Sequence, residues 1–217
     1  MNKKILTRTI VAVGLVCILA FGVISAFFTD TESQTNVFTV GKIDVELSEP
    51  SWVEPTNILP EQEIAKDPQI TNVGINDAYV FMEVVVPYAS VVTATDNGTK
   101  NPVADTELFT FDVNDNWVQV GESVKDEDTK TVTYLYAYGA IDEMTALAKD
   151  ATTTTLFDYV KFANVVDGQG LEGTIQNVTV KAYAVQTTNI NDGKSALDGN
   201  NGDGKVTPAD VWAVVSK

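Results

Sequence analysis

Histidine is absent from all 217 residues, and the one cysteine, Cys17, sits inside an apolar run near the N-terminus. From Phe27 onward the chain therefore holds neither a thiol nor an imidazole. No disulfide framework and no Cys/His zinc site can be built from such a set. Ser-His-Asp, Cys-His and HExxH chemistry is excluded as well. Arginine is almost as scarce, with Arg8 the sole example. Beyond residue 26 there remain 11 lysines, no arginine and 30 acids, a net charge of −19. A surface of that sign repels nucleic acid and anionic lipid, keeps the protein soluble and attracts cations. No internal repeat of 20–50 residues is visible.

What is present begins with a basic start, carrying Lys3, Lys4 and Arg8, followed by an apolar run over residues 9–24. Ile24-Ser25-Ala26 closes the run with small residues at the two positions before a cut. The pattern predicts a secretory signal peptide over residues 1–26, cleaved between Ala26 and Phe27. A permanent membrane anchor is the competing reading. The run is short for one, and Phe27-Phe28-Thr29-Asp30 supplies no stop-transfer flank. Val16 before Cys17 does not suit a lipoprotein signal.

The remainder alternates with the two-residue period of half-buried strands. Strands are expected over 37–40, 43–47, 68–72, 78–86, 108–113, 117–120, 131–138, 156–166 and 174–185. The run AYVFMEVVV at 78–86 is apolar enough to be buried on both faces, with Pro87 expected to stop it. Asp96-Asn97-Gly98 marks a turn, and residues 122–130 form an acidic one. Helix is expected only over 141–149 and 208–215, where Asp142 and Asp210 suit the positive end of a helix dipole. Strands at this spacing predict an all-β fold, an antiparallel β-sandwich of jelly-roll type with a few short helices. It would span residues 27–190, with an acidic Asp/Asn/Gly loop and short helix over 191–217. The tyrosines of 133–138 form either a sugar-stacking face or, more ordinarily, core packing. The sequons at Asn97 and Asn177 are read as plain loop and strand.

Three stretches carry a family resemblance. They are Ala26-Phe27-Phe28-Thr29-Asp30 running to Phe38-Thr39-Val40-Gly41-Lys42-Ile43-Asp44-Val45, then Leu59-Pro60 with Pro68-Gln69-Ile70-Thr71-Asn72-Val73-Gly74 and Ala78-Tyr79-Val80, and finally Lys181-Ala182-Tyr183-Ala184-Val185-Gln186 with Ala209-Asp210-Val211-Trp212-Ala213. Together they resemble the TasA/camelysin family of Gram-positive secreted proteins, whose precursors are cut by the ER-type signal peptidase SipW. The resemblance implies export, a jelly roll and, for its fibre-forming members, extracellular biofilm fibres. In those fibres the leading strand of one subunit completes the sheet of the next. Here that strand would present Val37, Val40, Ile43, Val45 and Leu47, with its phase slipping at Gly41-Lys42. The ordinary alternative is that the segment is the first strand of its own sandwich. The family also bears a metallo-endopeptidase label, which a chain without histidine resists.

Residues 198–210 (DGNNGDGKVTPAD) resemble a dockerin or EF-hand calcium loop. With Gly204 at the turn, Asn201, Asp203, the Lys205 carbonyl, Thr207 and Asp210 fall on ligand positions, and Val206 on the apolar one. Gly199 occupies the first ligand position, and the nearest carboxylate, Asp198, is one residue early. The alternative is a polar turn before a terminal helix. The expectation is a secreted, non-enzymatic matrix-fibre subunit with Ca2+ as its possible cofactor. Its partners would be further copies of itself or a matrix protein, and the signal peptidase during export. The competing readings are a camelysin-like surface peptidase and a calcium-supported binding module.

Overall fold

The computed structural model describes residues 42–188 and 205–216. Its organising element is β4 (Ala78–Val91), 14 residues long. Alternate residues Ala78, Val80, Met82, Val84 and Val86 are fully buried in the main core, and Phe81 is fully buried on the opposite face. The strand thus reads as a continuous apolar run because both faces are covered. On one flank it pairs antiparallel with β9 (Thr131–Ala140), from Phe81 opposite Ala137 to Pro87 opposite Thr131. On the other it pairs with β12 (Thr179–Gln186) over eight residues.

Beyond β9 the sheet continues through short pieces, β7 (Trp117–Gln119), β8 (Val124–Asp126) and β10 (Glu143–Met144). β5 (Ala104–Glu107) pairs with the far end of β4 and completes seven strands. The second layer holds β2 (Glu63–Ala65), β11 (Tyr159–Phe162) and β6 (Phe109–Thr110) in the order β2-β11-β6, and the pair β1 (Val45–Ser48) with β3 (Gln69–Asn72). Between the layers lie Ile64, Ile70, Leu108, Phe109, Leu156, Phe157 and Val160, facing the even residues of β4. All pairings are antiparallel, and the fold is the all-β sandwich of jelly-roll type that the alternation predicts.

Outside this core a second apolar cluster joins Phe81, Ala137 and Met144 to Val211 of α1 (Pro208–Val215), the one helix among the described residues. Trp212 of α1 sits 5.2 Å from the Phe81 ring and 5.5 Å from Tyr183.

Two expectations are corrected. Residues 141–149 are not helical. β9 turns back through Ile141-Asp142 into β10, whose Met144 is buried in the second cluster. Leu147 then exchanges both backbone hydrogen bonds with Ala78 (3.1 and 2.8 Å). Tertiary pairing overrides a short helical pattern here. Nor does Pro87 end β4. The Tyr88 N–H donates to the Lys130 carbonyl, whereas the Pro87 carbonyl accepts from the Leu108 N–H. Alternate backbone groups of a strand point to opposite sides, so the ring nitrogen faces the gap between the β12 and β5 pairings, where no donor is required.

The turn from β3 into β4 is built on Asn72, which is fully buried. Its side-chain amide donates to the Asn76 and Leu147 carbonyls at 2.9 Å each, and its oxygen accepts from the Gly74 N–H at 3.0 Å. Gly74 is required because a Cβ there would lie 2.6 Å from the Lys42 carbonyl oxygen. Those contacts hold the chain leading into β1 against the sandwich.

Candidate functional site

The seven-stranded sheet ends differently on its two flanks. β12 is its last full strand, and from Thr179 to Val185 no other strand pairs with its outer edge among the described residues. Along those seven residues every second one turns its N–H and C=O outward, and such a margin is a template for another strand.

A cleft of about 590 Å3 opens beside the start of this strand. Its floor is Ile64, Phe109, Val160, Phe162 and Val165, inward-facing residues of the smaller layer. Residues 52–60 form one wall and residues 165–178 the other. The second wall is tied down by Gln169, which donates to the Val92 and Val166 carbonyls at 2.7 Å. It is also tied by Glu172, which accepts from the Gly168 and Gly170 N–H groups. Its own backbone amide and those of that glycine loop hold the Glu172 carboxyl below the usual carboxylate range.

On the cleft floor lies Lys66, a buried lysine. Its ammonium donates to both oxygens of Glu49 (2.7 and 2.9 Å) and stands 4.9 Å from the Trp52 ring centre. Neither Glu49, Trp52 nor Lys66 was singled out by sequence reasoning. A signal was available: Lys66 falls in the inward phase of Ile64, where a charge needs a buried partner.

The predicted strand-donation face is divided. Val37 and Val40 lie outside the described residues, as do the cleavage pair Ala26 and Phe27. Ile43, Val45 and Leu47 are half-buried and pack against the main core of their own chain, with β1 paired to β3 from Val45 opposite Asn72 to Ser48 opposite Gln69. This part of the segment is the first strand of its own sandwich, as the ordinary alternative had it.

The predicted calcium loop is divided too. Asp198, Asn201 and Asp203 lie outside the described residues. Lys205 donates to Asp142 at 2.5 Å, which keeps the Asp142 carboxyl below the usual range. Thr207 is the N-cap of α1. Its hydroxyl donates to the Asp210 carboxylate at 2.7 Å and accepts from the Asp210 N–H at 3.3 Å. That capping arrangement explains Thr207 and Asp210 by helix initiation.

The tyrosine stripe is core rather than a sugar platform. Tyr134 and Tyr136 are stacked with ring centres 6.3 Å apart, and Phe111 meets both edge-on. Burial, reinforced by the charge of Glu107, pushes the Tyr136 hydroxyl up to about 12.

Among the described residues no three His, Cys, Asp or Glu side chains converge to hold a metal ion, and no helix is long and apolar enough to cross a membrane. Residues 1–116 match a family model described as camelysin metallo-endopeptidase. No curated protein matches the chain. A solved type II cohesin domain from the cellulosome of Acetivibrio cellulolyticus is similar at 13% identity and a TM-score of 0.24, covering 72% of this chain and 91% of that one.

Proposed function

Since the chain belongs to the camelysin metallo-endopeptidase family, we propose that it is a secreted subunit of an extracellular-matrix fibre. In this reading the segment freed by cleavage after Ala26 pairs with the sheet of the next copy. The observation that carries it is the outer edge of β12, which from Thr179 to Val185 pairs with no strand among the described residues, beside a cleft with an apolar floor. An incoming strand satisfies the backbone groups of residues 179–185, and its inward side chains fill the cleft. Because β1 is already engaged at home, the donated part is confined to residues before Lys42, with Val37 and Val40 as its anchors. Fifteen residues, 27–41, reach roughly 50 Å when extended, enough to leave one subunit and span the margin of another.

A peptidase reading is disfavoured by the donor set. The zinc that the family description implies takes imidazole or thiolate ligands by preference, and the mature chain has neither. The described carboxylates do not converge to replace them. Calcium at residues 198–210 remains compatible with the fibre reading as a support for α1.

Electron microscopy of the mature protein, with and without residues 27–41, tests the proposal. Fibres are expected from residues 27–217 and none from the shortened form, which should still unfold cooperatively. Equal fibre growth by both forms, or hydrolysis of casein by the mature protein that stops on chelation, would overturn it.

A further inference from the structure

Residues 49–60, which join β1 to β2 and wall the cleft, are fixed at their ends and free between them. At the leading end, Glu49 is clasped by Lys66, the Ser51 N–H donates to Asp67 (2.9 Å), and the Trp52 N–H donates to the Glu49 carbonyl (3.1 Å). At the trailing end, the Leu59 N–H donates to the Gln62 side chain (2.8 Å), and the Gln62 N–H donates to the Leu59 carbonyl (3.1 Å). From Val53 to Ile58 no backbone group makes a hydrogen bond with any described residue. Pro50, Pro55 and Pro60 lack an N–H and limit the segment to few backbone conformations. Ile58 touches the main core, but Val53 and Leu59 are 76% and 66% exposed. A segment with so few contacts belongs to the least stable part of a fold, whereas its leading end is closed by a partly buried ion pair.

We infer that residues 49–60 form a strap latched along one wall of the cleft by the Lys66–Glu49 pair, and that a donated strand enters by displacing it. This rests on the strand-donation reading for its purpose but not for its existence. The ammonium closes the strap in two ways, by its bidentate contact with Glu49 and by its position over the Trp52 ring. Neutralising Glu49 removes the stronger of these and leaves Lys66 charged at the cleft floor, which favours an opened strap that admits water. In the closed state Ile64, Phe109, Val160 and Val165 of the floor are buried, so a monomer keeps that apolar surface from solvent before a partner strand arrives.

Limited chymotrypsin digestion of the mature protein reads the latch through cleavage after Trp52, with hydrogen exchange of β4 amides as the control for global unfolding. Glu49→Gln should be cut at least tenfold faster than wild type, with β4 exchange within twofold. The double variant E49Q/K66M, which leaves no charge unpaired, should also be cut fast while keeping wild-type β4 exchange. Three results would overturn the latch: an unchanged cleavage rate in E49Q, wild-type cleavage already as fast as in an unfolded peptide, or β4 exchange rising as much as cleavage in both variants. Turbidity then reads the gate, since the latch-free double variant should polymerise with a shorter lag than wild type. An unchanged lag removes the gating role. If neither protein forms fibres, strand donation fails while the cleavage result still decides the latch.

Discussion

β4 divides the main sheet into two flanks built on opposite plans. On the β9 side the margin is made of short pieces, three residues each in β7 and β8, set off by turns. Asn116, Lys130 and Gly139 adopt positive φ around them. Short, turned margins are how natural sheets avoid pairing with strangers. On the β12 side the sheet stops at a strand of eight residues with no outer partner among the described ones from Thr179 to Val185. Among the described residues one flank is thus blunted and the other left unpaired, with the cleft wall of residues 165–178 leading into it. A general failure to protect sheet margins would leave both flanks alike, so the contrast points to the open one as the place of use.

The contrast can be stressed at several points. The largest effect is expected from Asn72→Ala, which removes three hydrogen bonds, two within the β3–β4 turn and one from that turn to Leu147 on the closed flank. Urea unfolding should show a loss of about 3 kcal/mol. No new assembly should follow. Polymerisation through a loosened closed flank would break the distinction between the two sides.

Trp212→Ala removes the ring that bridges Phe81 of β4 and Tyr183 of β12 on the outer face. A smaller cost of about 2 kcal/mol is expected by the same measurement, because the side chain is only half-buried. Fibre growth should persist if the outer face has no part in strand pairing.

The last effect is nil at neutral pH and emerges only in alkali. The Tyr136 hydroxyl, ordinarily near 10, is raised to about 12 in the fold. The unfolded chain therefore releases this proton first. Its stabilisation is complete below pH 10 and is lost as pH climbs through 12. Absorbance titration should show late-ionising tyrosines, and Tyr136→Phe should remove one of them while leaving Tyr134, which burial and Glu107 also raise.

Much of the architecture was legible in the sequence because side-chain alternation directly encodes which face is buried. The apolar run at 78–86 and the helix beginning at Pro208 sit where that pattern and the capping residues put them, and the strand expected over 174–185 is found over Thr179–Gln186. Local signals failed where distant partners decide. Residues 141–149 pair with β9 and β4 instead of coiling, and Pro87 is tolerated because its neighbours change at that point. The site was less legible. Ile43, Val45 and Leu47 alternate as either a home strand or a donated one would, and only the register with β3 separates the two. The strap and its latch join residues 17 apart in sequence, a relation that no short motif announces.

Hydrogen exchange along β12, measured on the monomer and again on assembled material, tests the open margin most directly. Every second amide from Thr179 to Val185 should exchange fast in the monomer and become protected on assembly, together with residues 27–41. Uniform protection of β12 in the monomer, unchanged by assembly, would contradict the account.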